Sequence, residues 1–278
     1  MTASTPQGAL LVPVANPETI DRLLDTAVDI ARERSMSIIA VHVVEVPPQV
    51  PLSEGDRIVT DETNQLLEYA EDQISEASID IETKLRFARD TATGIVGSVD
   101  AYNGEALLMG WRGRPRRRDI ILGSFLDRVL GEAPCDVYVK RIKLPSSSPR
   151  SILVPVAGGP HDKLAAELAG TIASQHDSDV LLFHVVHPDT DIGDPDTLLQ
   201  SRRDCLPVDI SVEERTVESD HVAGAITDKT VSHDLTILGA SRESFLNRRL
   251  VGSVAQGVGR AAGSSVIVTR RYVEGQMS

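Results

Sequence analysis

Short apolar runs alternate with amphipathic stretches along the whole chain. Asn16 is placed to cap a helix that begins at Pro17, directly after an apolar run at residues 11–15. Apolar residues then recur at helical spacing, at Ile20, Leu23, Leu24, Ala27 and Ala31. Gly159 and Pro160 take the corresponding places after a second apolar run at residues 153–157. This alternation predicts an α/β fold, with a parallel sheet covered by helices on both faces.

The same pattern predicts the remaining elements of two similar halves. In the first half it predicts strands at residues 37–46, 80–87, 106–109 and 137–140, and helices at 93–102 and 124–131. In the second half it predicts strands at 180–186, 209–217, 235–238 and 265–269, and helices at 222–231 and 253–262. The proline-rich residues from Pro47 onward are interpreted as a long excursion, which the second half shortens after His187.

Two offsets relate the halves. Leu-Val-Pro-Val-Ala begins at both Leu11 and Leu153, and His-Val-Val at both His42 and His184, so these strands recur at one constant offset. The later glycine loops and closing strands recur at a smaller offset, and we place the missing stretch after the second strand. The repeat predicts two tandem three-layer α/β/α domains, residues 1–144 and 150–278, each with a five-stranded parallel sheet. Residues 145–149, rich in proline and serine, are the predicted linker.

Glycines follow the fourth predicted strand of each half in a common frame. Gly110, Gly113 and Gly123-Ser124 define the first copy. Glycine lets backbone N–H groups approach an anion closely, and a Gly-Ser pair that opens a helix adds the positive end of the helix dipole. The order of strand, glycine-rich loop and helix therefore predicts a phosphate site, at the strand carboxyl ends where ligands bind in open parallel sheets.

Composition narrows the classes of function. The chain has 41 Asp and Glu against 28 Lys and Arg, a net charge of −13, which argues against general binding to nucleic acid. The acidic, lysine-poor composition resembles that of salt-adapted archaeal proteins. No apolar run is long enough to span a membrane and no signal segment opens the chain, so we expect a cytoplasmic protein without membrane insertion.

Catalytic signatures are missing from the pattern. No Ser-His-Asp arrangement, paired-carboxylate motif, metal constellation or Walker lysine loop is found, so no catalytic residue is predicted. His42 and His184 are interpreted as structural partners of backbone groups, because neither has a second ligand at metal spacing. Cys135 and Cys205 are expected to be free cysteines packed as small apolar residues.

The glycine frame, the repeated Val-Pro-Val and the repeated His-Val-Val together resemble the universal stress protein family, in its tandem two-domain form. The resemblance covers almost all of both halves. It implies a sandwich related to the adenine nucleotide α-hydrolase folds, with ATP, and Mg²⁺ beside it, bound in some members. Family members pair through their fifth strands, which implies an intramolecular pseudo-dimer here and leaves a further homodimer open.

The resemblance also implies a site in the first domain. The phosphates would lie against Gly113, Gly123, Ser124 and Phe125, with Arg112 in the same loop. The ribose and adenine would lie near Met109, Gly110, Ala40 and Val41. Binders in the family carry an aspartate after strand one, where this chain has Ala15, and Ala157 in the second repeat. That departure removes a polar contact to the ribose.

The second copy of the frame is altered. It comprises Gly239, Arg242, Gly252, Ser253 and Val254, with an arginine where the first copy has glycine. Arg242 would either fill the pocket or reach into it as an anion contact, so we expect a weakened or altered second site.

Two features of the first loop leave alternatives open. The arginines from Arg112 to Arg118 form either a polyanion clamp or a solvated loop. Trp111 either stacks on a base or ribose, or packs against arginine stems.

Two functions follow from the sequence. The first is a cytoplasmic, ATP-binding regulatory or stress-response protein with one competent site, and at most slow ATP hydrolysis. The second is an interaction module of a membrane amino-acid or cation transporter, because residues 12–17 and 42–47 resemble stress-protein domains fused behind such transporters. In that role the ligand would be an adenylate, a cyclic dinucleotide or none.

Overall fold

A computed structural model describes residues 8–75, 79–111, 124–141, 148–189, 193–240, 258 and 264–274. Among these residues two compact units are present. The first contains the described residues up to Gly110 together with Ser124–Val137, and the second contains Trp111 and the described residues from Tyr138 onward.

The first unit alternates strands and helices. It runs through β1 (Ala9–Pro13), α1 (Pro17–Arg34), β2 (Ser37–Glu45), a 3-10 helix (Leu52–Ile58), α2 (Asp61–Ser75), β3 (Ile81–Ala88), α3 (Thr91–Ala101), β4 (Gly104–Trp111) and α4 (Ser124–Glu132). The next strand, β5 (Asp136–Arg141), begins in the first unit and ends in the second.

The second unit repeats this order. It runs through β6 (Ser151–Val156), α5 (Pro160–His176), β7 (Asp179–Val186), α6 (Pro195–Arg203), β8 (Val212–Glu218), α7 (Val222–Thr230), β9 (Leu235–Gly239) and β10 (Ser265–Arg270). The predicted helix at 253–262 lies outside the described residues except for the buried Val258.

The strand order confirms the predicted α/β class. Neighbours follow β3-β2-β1-β4 in the first unit and β8-β7-β6-β9-β10 in the second. The register given for these pairs, from β1 with β2 to β9 with β10, is parallel. Most of the residues in β1, β6, β9 and β10 are buried, as expected for strands with helices on both faces.

Strand register also locates the missing stretch of the second half. Ile38 pairs with Ile81, whereas the equivalent Val180 pairs with Val212. The path from the second strand to the third is therefore shorter in the second half, and this difference accounts for most of the change in offset. The predicted place of the deletion is confirmed for most of its length.

The ends of the first helix in each unit confirm the sequence argument. Asn16 Oδ1 accepts the Thr19 N–H at 3.0 Å, and Pro17 is the first helical residue. Ser35 and Asp177, which are equivalent in the repeat, both end their helices with left-handed φ, 51° and 54°. The two units thus share local geometry as well as order.

Two helices were not predicted, and some strand bounds differ from the prediction. α2 and α6 lie in the connections between the second and third strands, to which no helix was assigned, and β8 begins at Val212 rather than at residue 209. β4 extends beyond the predicted 106–109 to Gly104 and Trp111. Gly110 therefore lies in extended strand rather than in the loop after it.

Candidate functional site

The first unit has a switch point at β1. β1 pairs with β2 on one side and with β4 on the other, so connections leave in opposite directions on its two sides. The crevice outside the strand carboxyl ends at such a point is where open α/β sheets bind ligands. In the second unit β6 occupies the same position, between β7 and β9.

The predicted adenine and ribose positions are largely buried in this structure. Ala40, Val41 and Met109 are at most 2% exposed. Val41 also ties the end of β1 to β2, because its carbonyl accepts the Val14 N–H at 2.9 Å. Gly110 is half-buried near the end of β4. Gly110 is the most accessible of these four residues.

The predicted phosphate loop is only partly within the described residues. Ser124 is the first residue of α4, and Phe125 follows it half-buried. Arg112, Gly113 and Gly123 lie outside the described residues. In the second unit the same is true of Arg242, Gly252, Ser253 and Val254.

Both strand histidines bind backbone, as predicted. His42 Nδ1 lies 2.8 Å from the Val14 carbonyl oxygen, and His184 Nδ1 lies 2.8 Å from the Val156 carbonyl oxygen. A carbonyl oxygen can only accept a hydrogen bond, so Nδ1 of each ring is the donor. Each histidine therefore fixes the chain at the end of the first strand of its domain. This confirms the structural interpretation of the pair.

A polar network in the first unit connects the strand ends to α4. The Glu45 carboxylate accepts the Thr91 N–H at 2.9 Å, at the start of α3. Arg128 of α4 donates to Asp90 at 2.9 Å and to the Thr93 hydroxyl at 2.7 Å. The Thr93 hydroxyl and N–H, followed by Arg128, hold the pKa of Asp90 below its usual value. α4, which begins directly after the glycine frame, is thus bonded to the start of α3.

The segment after β2 is held by one guanidinium. Arg89 Nη1 donates to the carbonyls of Val46 at 3.1 Å, Pro47 at 2.5 Å and Val50 at 2.9 Å. Sequence reasoning missed this anchor, because a single arginine after a strand carries no recognisable motif.

The second unit contains a buried ion pair at the loop after β6. Asp162, in the first turn of α5, has a side chain that is 6% exposed. It accepts the N–H groups of Ala157 and Gly158 at 2.8 and 2.5 Å. Arg202 of α6 lies 2.8 Å from its other oxygen and donates to the Gly159 carbonyl at 3.0 Å. Sequence reasoning missed this pair because Arg202 lies on a helix that was not predicted.

Gly239, predicted as part of a second phosphate loop, has a packing role in the described structure. A Cβ at this position would stand 2.6 Å from the Asp162 nitrogen and 2.7 Å from the His161 carbonyl carbon. β9 therefore approaches the first turn of α5 at a distance that only glycine permits.

Trp111 packs against an arginine side chain, which is one of the two alternatives given by the sequence. Its side chain is 7% exposed, and the Arg141 guanidinium lies 5.8 Å from the ring centroid. The cation comes from β5 rather than from the neighbouring loop. Burial lowers the pKa of Arg141.

The expectation that the cysteines pack as small apolar residues is confirmed for Cys135, which is buried, whereas Cys205 is only partly buried. Neither forms a disulfide within the described residues, and burial raises the pKa of the Cys205 thiol. No group of three His, Cys, Asp or Glu side chains within the described ranges could hold a metal ion. In that same part of the chain, no helix has both the length and the apolar character to span a membrane.

Comparison with known proteins identifies the class. The universal stress protein family matches twice, over residues 8–141 and 149–270. The two matches cover most of the chain, and they coincide with the two α/β repeats described above. The chain belongs to the universal stress protein family, as a tandem two-domain member.

Individual relatives agree with this assignment. Universal stress protein Mb2028c of Mycobacterium bovis is 25% identical over 272 residues, covering 87% of this chain and 90% of the relative. The Na(+)/H(+) antiporter NhaS5 of Synechocystis sp. is 28% identical over 180 residues, 63% of this chain. This chain spans only 25% of the antiporter's length.

Solved structures extend the likeness in fold. A universal stress protein from Archaeoglobus fulgidus matches with a TM-score of 0.72 at 19% identity, covering 95% of this chain and 96% of that one. The cytoplasmic domain of a prokaryotic cation chloride cotransporter matches with a TM-score of 0.64 at 14% identity, covering 97% and 98%. Both matches extend over almost the whole chain and concern the fold.

Proposed function

We propose that this chain is a cytoplasmic regulatory protein that binds one adenine nucleotide, ATP with Mg²⁺, in its first domain. The observation that carries the proposal is the position of α4. This nine-residue helix begins at Ser124, directly after the glycine frame that follows β4. The unpaired N–H groups and the dipole at a helix N-terminus favour a phosphate there.

The other contacts of the proposed site are mostly main-chain groups. Gly113, Gly123, Ser124 and Phe125 would surround the phosphates, and Arg112 would add a guanidinium. Adenine would lie along the backbone of Ala40 and Val41, with the ribose beside Met109 and Gly110. The exposed Ala15 supplies no carboxylate to the ribose, so affinity would depend mainly on the phosphates.

We propose binding rather than catalysis as the activity. None of the residues assigned to the site is a general base, so ATP hydrolysis would be slow at most. The domains, proposed as residues 1–144 and 150–278, would pair as an intramolecular pseudo-dimer. In that arrangement the second domain would serve as a partner with a degenerate site.

Calorimetric titration of nucleotide-free protein with Mg-ATP tests the proposal. The wild type is expected to bind about one equivalent, and Gly123→Val to bind none because its side chain blocks the approach of the phosphates. Gly224→Val is the matched control, since a Cβ at Gly224 in α7 would lie 3.7 Å from its nearest neighbour. Equal binding by Gly123→Val and the wild type would contradict the proposed site.

A second function is supported by the antiporter relative. The similarity to part of the Na(+)/H(+) antiporter NhaS5 favours a role as a soluble regulatory module of an amino-acid or cation transporter. The ligand in that role would be an adenylate, a cyclic dinucleotide or none. Recovery of a transporter with the tagged chain from detergent-solubilised cells would favour this function. Retention of ATP by the isolated chain, with no transporter recovered, would favour the first.

A further inference from the structure

A carboxylate from the first turn of α5 binds the loop after β6. Asp162 Oδ2 accepts the N–H groups of Ala157 and Gly158, the two residues that follow the strand. Arg202 binds Asp162 Oδ1 through Nε at 2.9 Å. The backbone N–H groups at the carboxyl end of β6 therefore already bind an anion, the Asp162 carboxylate, and Arg202 neutralises its charge.

The first domain is built differently at the equivalent positions. The offset that aligns Leu11 with Leu153 and Ser35 with Asp177 places Ala15 opposite Ala157 and Ile20 opposite Asp162. In this alignment α5 begins one residue later than α1. Ile20 is 1% exposed and packs in the apolar core, so no carboxylate can reach the loop after β1 from that position. Asn16 instead uses its side chain to cap α1. The internal anion is a property of the second domain.

A helix also covers the loop in the second domain. Leu198 Cδ1 of α6 lies 3.6 Å from the place where a Cβ on Gly158 would stand, and the neighbouring Leu199 is 2% exposed. Gly158 itself has φ of +84°, a conformation that favours glycine. Arg202, at the far end of the same helix, binds the Gly159 carbonyl. α6 therefore lies close to the loop after β6 at two points, through Leu198 near Gly158 and through Arg202 at the Gly159 carbonyl.

The connection that contains α6, from the second to the third strand, is shorter than its counterpart in the first domain, as the strand register shows. α6 has nine residues against fifteen in α2. Leu206 and Pro207, just after α6, pack against Gly170 in the middle of α5. The segment from Leu198 to Pro207 therefore reaches from the loop after β6 to the middle of α5.

We propose that Asp162, Arg202 and α6 close the nucleotide site of the second domain, so that the chain binds nucleotide in the first domain alone. The carboxylate takes the amides that would otherwise face a ligand at the switch point, and Arg202 holds α6 against the same loop. This inference rests on the proposed function, because it assigns the single site to one domain.

The test is the stoichiometry of Mg-ATP binding by the full chain. The variant Asp162→Ile/Arg202→Met gives the second domain the residue that the first has at this position and leaves no unpaired charge. It is expected to bind about two equivalents, against one for the wild type. Glu213→Gln/Arg215→Gln removes an exposed ion pair of the same domain, and is expected to stay at one equivalent.

The outcomes separate this inference from the proposed function. One equivalent in both the wild type and a folded Asp162→Ile/Arg202→Met variant would overturn the closure. No binding by the wild type together with one equivalent in that variant would overturn the proposed first-domain site and support the closure. No binding by either protein would overturn both.

Hydrogen exchange on the wild type gives a test that does not depend on the variant folding. We expect Mg-ATP to slow exchange in peptides that cover residues 14–17 and to leave peptides covering 156–160 unchanged. Slower exchange at 156–160 on addition of Mg-ATP would show nucleotide at the second loop and overturn the closure.

Discussion

Removal of Arg202 alone should destabilise the second domain strongly. In Arg202→Met the Asp162 carboxylate, whose side chain is 6% exposed, keeps two N–H donors but loses its cation. Breaking a buried ion pair from one side costs about 3–5 kcal/mol, whereas exposed pairs contribute about 0.2–1 kcal/mol. The Arg202 side chain is only 11% exposed, so the larger range applies. The two remaining donors favour its lower end, about 3 kcal/mol.

Urea and thermal unfolding, followed by far-UV circular dichroism, measure this loss. At about 2–4 °C for each kcal/mol, the melting temperature should fall by roughly 6–12 °C. Arg215→Met is the matched control, because the Arg215 side chain is 44% exposed in its pair with Glu213, and it should lose less than about 1 kcal/mol. If Arg202→Met were no less stable than Arg215→Met, the argument from burial would be refuted.

Three further substitutions test the fold. Gly239→Ala places a Cβ against the α5 backbone and should destabilise by about 1–3 kcal/mol in calorimetry; an unchanged melting temperature would contradict the close approach. Asn16→Ala removes the α1 cap and should lose about 1 kcal/mol in urea unfolding, with no loss expected if its bond to Thr19 contributes nothing. The Arg150 and Ser151 N–H groups lower the pKa of Asp234 below 3.8, so its contribution is present above about pH 4 and lost as the pH falls through the folded value. The stability gap between wild type and Asp234→Asn should therefore shrink between pH 6 and pH 3, and a constant gap would count against this charge.

Most of the fold could be predicted because apolar periodicity and the repeat reinforce each other. The predicted strands mostly lie close to their observed bounds, and the capping of α1 by Asn16 follows directly from side-chain chemistry. α6 carried the same signals, since Asp194 caps it and Pro195 is its first residue. These signals were overlooked because the segment was interpreted as an abbreviated loop.

The site was less accessible to sequence reasoning. The histidine bonds could be predicted, because His42 and His184 recur at the same strand position. The pairing of Asp162 with Arg202 could not be predicted from local sequence pattern, because the two residues are 40 positions apart. Their contact depends on where α6 packs in the fold. The role of Gly239 likewise depends on how closely β9 approaches α5.

Release of bound nucleotide tests the central claim most directly. Freshly purified chain is denatured, and the released small molecules are identified and quantified by mass spectrometry, with Gly123→Val prepared in parallel. The account predicts about one equivalent of adenine nucleotide from the wild type and none from the variant. No nucleotide from the wild type, followed by no binding when Mg-ATP is added, would contradict it.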